Sequence, residues 1–140
     1  MVEYISQLLR RRHGVQGTSI YRLAEAVATG RMTWQQALNE ARSLRVVNEL
    51  ADGDLIDLER QAQLEARTNL DFGLLLGRLT VAAARAKGFE KVYVDLCLNL
   101  VEMLQRAGLD DERDYYLNQA LEAAQRVSYQ SGYRSVLNRM

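Results

Sequence analysis

A chain of 140 residues without a single proline must make its turns in another way. Proline fixes φ, removes a backbone donor and breaks helix interiors, so it ordinarily marks loops, strand edges and helix ends. Its complete absence favours long helices joined by short turns, with nine glycines as the punctuation. The apolar pattern agrees: hydrophobic residues recur at steps of three and four, and no segment alternates convincingly with period two. The expected fold class is all-α, with about seven or eight helices arranged as antiparallel hairpins in a bundle. One helical domain is expected over 1–140, with N-terminal helices in 1–69 and repeat-like hairpins in 70–140. A chain of this length can bury a core without disulfides or metal.

The helices can be placed from their stripes and ends. Val2 to Arg12 puts Tyr4, Ile5, Leu8 and Leu9 on one face, and Gly14 and Gly17 break it. Thr18 or Ser19 caps a second helix that ends at Gly30. Thr33-Trp34-Gln35-Gln36 fits a capping box and opens a third helix expected to reach Ala51, with Trp34, Leu38, Ala41, Leu44, Val47 and Leu50 as its apolar face. Between Leu55 and Lys87 the chain reads as two helices broken at Thr68-Asn69-Leu70-Asp71, with one continuous helix as the alternative. From Glu90 to Arg106 nearly the whole circumference is apolar, which marks a central, buried helix. After Gly108, Asp110 or Asp111 is expected to cap a helix ending near Gly132, and a last short helix carries Val136, Leu137 and Met140.

Two stretches look alike. Ala86-Lys87-Gly88-Phe89-Glu90-Lys91-Val92 and Gln130-Ser131-Gly132-Tyr133-Arg134-Ser135-Val136 each place an aromatic after a glycine and a valine four residues after that glycine. Gly88 and Gly132 are 44 residues apart, and Leu76-Gly77 adds a Leu-Gly pair upstream. This grammar resembles that of tetratricopeptide-type helical-hairpin repeats over residues 70–140. In that family the period is about 34, an alanine usually stands where this chain has Val92 and Val136, and a proline closes the repeat. The resemblance implies a short right-handed solenoid that binds a peptide or protein on its concave face.

Charge excludes more than it suggests. Eighteen basic residues balance eighteen acidic ones, so the whole chain presents neither a basic footprint for nucleic acid nor an acidic tail. Sixteen of the cations are arginine, a bias that fits background composition. With one cysteine, no intrachain disulfide can form, and a reducing compartment, the cytoplasm, is expected. No apolar run approaches the roughly 18–20 residues that span a bilayer, so no membrane partner is expected.

Catalytic grammar is missing. His13, the only histidine, follows Arg10-Arg11-Arg12, whose charge disfavours both an imidazolium and a bound metal. Cys97 lies mid-helix between Leu96 and Leu98, where cysteine behaves as a small hydrophobe. The acidic clusters Asp52-Gly53-Asp54 and Asp110-Asp111-Glu112 fall at expected helix starts and lack calcium-loop spacing. No catalytic residue, cofactor or metal site is therefore assigned. Instead, four of seven tyrosines fall between Tyr115 and Tyr133, and tyrosine is enriched at protein interfaces. Tyr115 and Tyr116 are adjacent, so Tyr116 is expected at the edge of the core stripe and Tyr115 further out.

The expected function is a non-enzymatic interaction module, an adaptor, scaffold or assembly subunit that binds a protein partner or associates with itself. The residues expected to carry it are Tyr115, Tyr116, Tyr129, Tyr133, Arg10, Arg11 and Arg12. The alternatives are a nucleic-acid-associated helical protein using the Arg10–Arg12 cluster and a helical bundle holding a small ligand.

Overall fold

The computed structural model describes residues 14–140, in which eight α-helices and no strand are found. The segment Val2–Arg12, its Arg10–Arg12 cluster and His13 lie outside the described residues. A 3-10 turn over Gly14–Gly17 leads into α1, Ser19–Ala28. Thr18 caps α1, its Oγ1 accepting the Tyr21 N–H at 3.3 Å. The expected capping box opens α2, Trp34–Ala41: Thr33 Oγ1 accepts from Gln36 N–H at 3.1 Å, and Gln36 Oε1 accepts from Thr33 N–H at 3.0 Å.

The third helix does not run on to Ala51 as expected. It stops at Ala41, and Ser43 recaps the chain by accepting from the Val46 N–H at 3.4 Å, which starts the single turn α3, Leu44–Val47. A serine hydroxyl offers the backbone an alternative to the helical ladder, and here it wins. The break changes which side chains face inward. Leu44, expected on the apolar face, is 77% exposed, while Val46 is fully buried in its place.

Helix α4 spans Asp52–Ala66 and α5 spans Leu70–Lys87, so the break between them is real. Asn69 caps α5, with Oδ1 accepting from Phe72 N–H at 3.1 Å. The two helices close on Gly73, where a Cβ would lie 2.5 Å from Ala66 Cβ and 2.7 Å from the Ala62 carbonyl oxygen.

From here the spacing is regular. Helices α5, α6 (Glu90–Arg106), α7 (Asp110–Arg126) and α8 (Gln130–Arg139) begin at 70, 90, 110 and 130. Gly88, Gly108 and Ser128 stand 20 residues apart and share the left-handed conformation, at φ 82°, 73° and 55°. After each, the N–H of Phe89, Leu109 or Tyr129 donates back to the carbonyl of Ala84, Leu104 or Ala124, at 3.2, 3.0 and 2.8 Å. Such bonds satisfy carbonyls that a helix end leaves without a partner. Contrary to expectation, Gly132 closes no helix; it sits in the first turn of α8 beneath the Tyr129 ring. The structural counterpart of Gly88 is thus Ser128, not Gly132, and the hairpin spacing is 40 residues rather than 44. Nor do Asp110 and Asp111 cap α7. Leu109 is the N-cap, and the acids lie in the first turn, where they suit the helix dipole.

α6 packs against α4, α5, α7 and α8, while α1, α2 and α3 pack against α5. α4, α6 and α8 lie along one side and α5 and α7 along the other. Ion pairs and hydrogen bonds stitch the first layer: Arg106 Nη2 donates to the Ala66 carbonyl at 3.5 Å, and Arg139 meets Glu102 at 3.1 Å. The expectation of one central buried helix at 90–106 needs widening. α5 and α6 each bury nine residues and form the central pair together. Fully buried leucines such as Leu76, Leu79, Leu100 and Leu104 anchor it, each contributing about 1.5–3 kcal/mol of transfer free energy.

Candidate functional site

A groove of about 810 Å³ runs over α5 between α2 and α7. It exists because α5 and α7 both pack on α6 and are joined to each other by long polar side chains rather than by an interdigitated apolar face. The floor is α5, where Leu75, Arg78, Ala82 and Arg85 fall on one helical face, with Val81 beside them and Tyr93 of α6 between. One wall comes from α2 and its last turn: Trp34, Leu38 and Arg42. The other comes from the first half of α7: Glu112, Tyr115 and Tyr116.

Two arginines of α5 reach across to α7. Arg78 grips Glu112 in a two-pronged fork, Nε to Oε2 at 2.6 Å and Nη2 to Oε1 at 2.7 Å. Both groups are largely covered, at 21% and 31% side-chain exposure, so solvent screens the pair less than it would on an open surface. The fork pushes the Arg78 pKa further up, which fixes its charge. Two helical turns along, Arg85 donates from Nη1 to the Tyr93 hydroxyl at 3.0 Å and to Gln119 Oε1. Its guanidinium also lies over the Tyr93 ring, 5.5 Å from the centroid.

The aromatics are held, not loose. Tyr115 and Tyr116 meet edge to face, with centroids 5.1 Å apart at 81°. As the helical spacing predicts, Tyr116 sits at the border of the core and Tyr115 is 55% exposed. Burial, with the Glu112 carboxylate second, pushes the Tyr116 phenol up to about 12, so it stays protonated across the physiological range. Cys97 is fully buried, and burial pushes its thiol up to about 12 as well; a thiol held protonated is a poor nucleophile.

The four tyrosines expected to act together are divided. Tyr115 and Tyr116 line the groove, while Tyr129 and Tyr133 line a separate hollow of about 250 Å³ beyond the C-terminal end of α7. Tyr129 is committed to structure: its ring covers Gly132 and its hydroxyl donates to Asp95 at 3.0 Å. Arg10, Arg11 and Arg12 lie outside the described residues. Sequence reasoning misses Arg78, Arg85, Arg42 and Tyr93. A signal is present for the first two, since Arg78 and Arg85 stand seven apart in a mostly apolar helix and so share a face. Trp34, expected in the core, is instead half-buried in the groove wall.

No helix of the described residues is long and apolar enough to cross a membrane. Comparison of the chain with known protein families, characterised proteins and solved structures finds no match.

Proposed function

We propose that this chain is a non-enzymatic protein-interaction module that seats a segment of a partner protein in the groove over α5. The observation that carries the reading is the make-up of that groove: exposed tyrosine, a half-buried tryptophan and arginines around an aliphatic floor. Aromatic residues and arginine supply most of the binding energy at protein interfaces, because they combine large contact area with directed hydrogen bonds. The rims are pre-organised. The Arg78–Glu112 fork and the Arg85 bonds to Tyr93 and Gln119 hold α5 and α7 at a fixed separation, so a partner spends little free energy on ordering them.

The test is selection from a displayed library of random peptides, about 15 residues long so that a helical or extended binder can span several turns. Panning uses the full chain, with the Tyr115→Ala, Tyr116→Ala double variant as the counter-target after its helicity has been checked by circular dichroism. Enriched peptides should lose about tenfold or more in affinity for the variant, the loss of one interface hot spot. Peptides that bind the variant equally well, or no enrichment at all, would remove the groove as the binding site.

A further inference from the structure

We propose that the segment this groove takes up is acidic, carrying Asp or Glu side chains between apolar anchors. The inference rests on the interaction-module reading and adds the chemistry of the occupant.

The hydrogen-bonding capacity left open along the groove is dominated by donors. Its one lining carboxylate, Glu112, has both oxygens taken by Arg78, at 2.6 and 2.7 Å. Among the described residues Arg85 bonds only through Nη1, which leaves Nε and Nη2 without a protein acceptor there. Arg42 is exposed and makes no ion pair among the described residues. The Trp34 indole can only donate, whereas the Tyr115 and Tyr116 hydroxyls can donate or accept. Arg78 and Glu112 thus neutralise each other, and Arg42 and Arg85 remain as the two cations of the groove lining not balanced by a lining carboxylate.

Each class of occupant meets this arrangement differently. A basic segment brings like charge up to Arg42 and Arg85. A neutral apolar segment covers guanidinium donors without giving them acceptors, so their hydration is lost with nothing in return. A carboxylate accepts two N–H bonds from one guanidinium in a single plane, the geometry arginine is built for. Aliphatic side chains between the acids fit Leu38, Leu75, Val81 and Ala82. A single-stranded nucleic acid is also rich in acceptors, but it needs open aromatic faces for its bases. Tyr115 and Tyr116 are turned edge to face at 81° and Arg85 lies over the Tyr93 ring, which leaves Trp34 alone among the groove's aromatics without a ring or guanidinium partner among the described residues.

The same selection tests the occupant, because composition and binding are read separately. Groove-dependent peptides should be enriched in Asp and Glu. The strongest is then synthesised beside a copy with its acids changed to amides, and both are titrated against the full chain. Trp34 is the only tryptophan, so its fluorescence reports groove occupancy directly. The acidic peptide should bind about tenfold more tightly than the amide copy and weaken as salt rises. Arg42→Gln with Arg85→Gln should bring the two copies to equal affinity, a comparison that holds whatever the variant does to the binding both copies share; both positions are exposed, and circular dichroism checks the fold. Arg42→Lys with Arg85→Lys should keep part of it. Groove-dependent peptides without acidic enrichment, or equal affinity for the two copies, would overturn the acidic occupant and leave the groove reading intact. No groove-dependent peptide at all overturns both. Tighter, Arg42- and Arg85-dependent binding of an oligouridine than of the best peptide would overturn the proposal in favour of nucleic acid.

Discussion

Ser128 holds φ 55° where its counterparts at 88 and 108 are glycine. A side chain in the left-handed region costs about 1 kcal/mol, which glycine avoids. Ser128→Gly is therefore expected to raise stability by about 0.5–1 kcal/mol, read from chemical denaturation midpoints; an unchanged or lower midpoint would contradict the strain. Gly73 has the opposite character. Its Cβ would collide with the backbone and side chain of α4, so Gly73→Ala should cost about 2–3 kcal/mol in the same measurement. Glu59 is 8% exposed and its Oε1 has no hydrogen-bond partner. Burial raises its pKa, nearby Arg60 opposes the shift, and Glu102 adds to it. Because the folded state holds this proton more tightly than the unfolded chain, wild-type stability falls as pH rises from the ordinary carboxylate range through the raised value. Glu59→Gln should stabilise the protein at neutral pH by roughly 1 kcal/mol, with the gain shrinking in acid. Thermal melts across that pH range check both parts.

Between elements, the 20-residue spacing from α5 to α8 gives equivalent positions unequal burial. Gly77, Cys97 and Leu117 are buried, yet Leu137, next in the series, is 46% exposed. Thr80, Leu100 and Ala120 are buried, while Met140 is 63% exposed. Each earlier helix has a neighbour over that face, and α8 has none among the described residues. Leu117→Ala should therefore cost about 2–4 kcal/mol and Leu137→Ala under about 1, a contrast that denaturation of the two variants measures. The stops between these helices are legible where the residue type is decisive. Asn69, which the chain offers equally as a helix end, proves to be the N-cap of α5, whereas Gly30, Gly88 and Thr33 announce themselves through left-handed conformation or a side-chain cap. Ser128 does not, because serine rarely takes that conformation, and the nearby Gly132 is the stronger signal for a helix end. Ser43 is equally silent: a serine inside an apolar stripe reads as tolerated until its hydroxyl is seen to recap the chain.

Across the whole molecule, alkaline pH is expected to unfold the protein through its tyrosines. Tyr93 and Tyr116 are raised chiefly by burial, as is Tyr21, which also donates to Glu65 at 2.8 Å. In the unfolded chain these phenols ionise near their ordinary value of about 10. Above that pH the unfolded state sheds protons that the folded state keeps, so stability falls as pH rises toward about 12, the value for Tyr116. Ultraviolet titration should show Tyr21, Tyr93 and Tyr116 ionising only as helicity is lost. Simultaneous ionisation of all tyrosines with helicity intact would contradict the packing.

The helical class and most helix ends follow from the chain alone, since they depend on periodicity, caps and the missing proline, all of them local in sequence. The groove is of another kind. Arg78 meets Glu112 across 34 residues, and Arg85 meets Gln119 across the same interval. Both contacts arise from how α6 holds α5 and α7 apart, a separation set by packing between distant segments that no local pattern encodes.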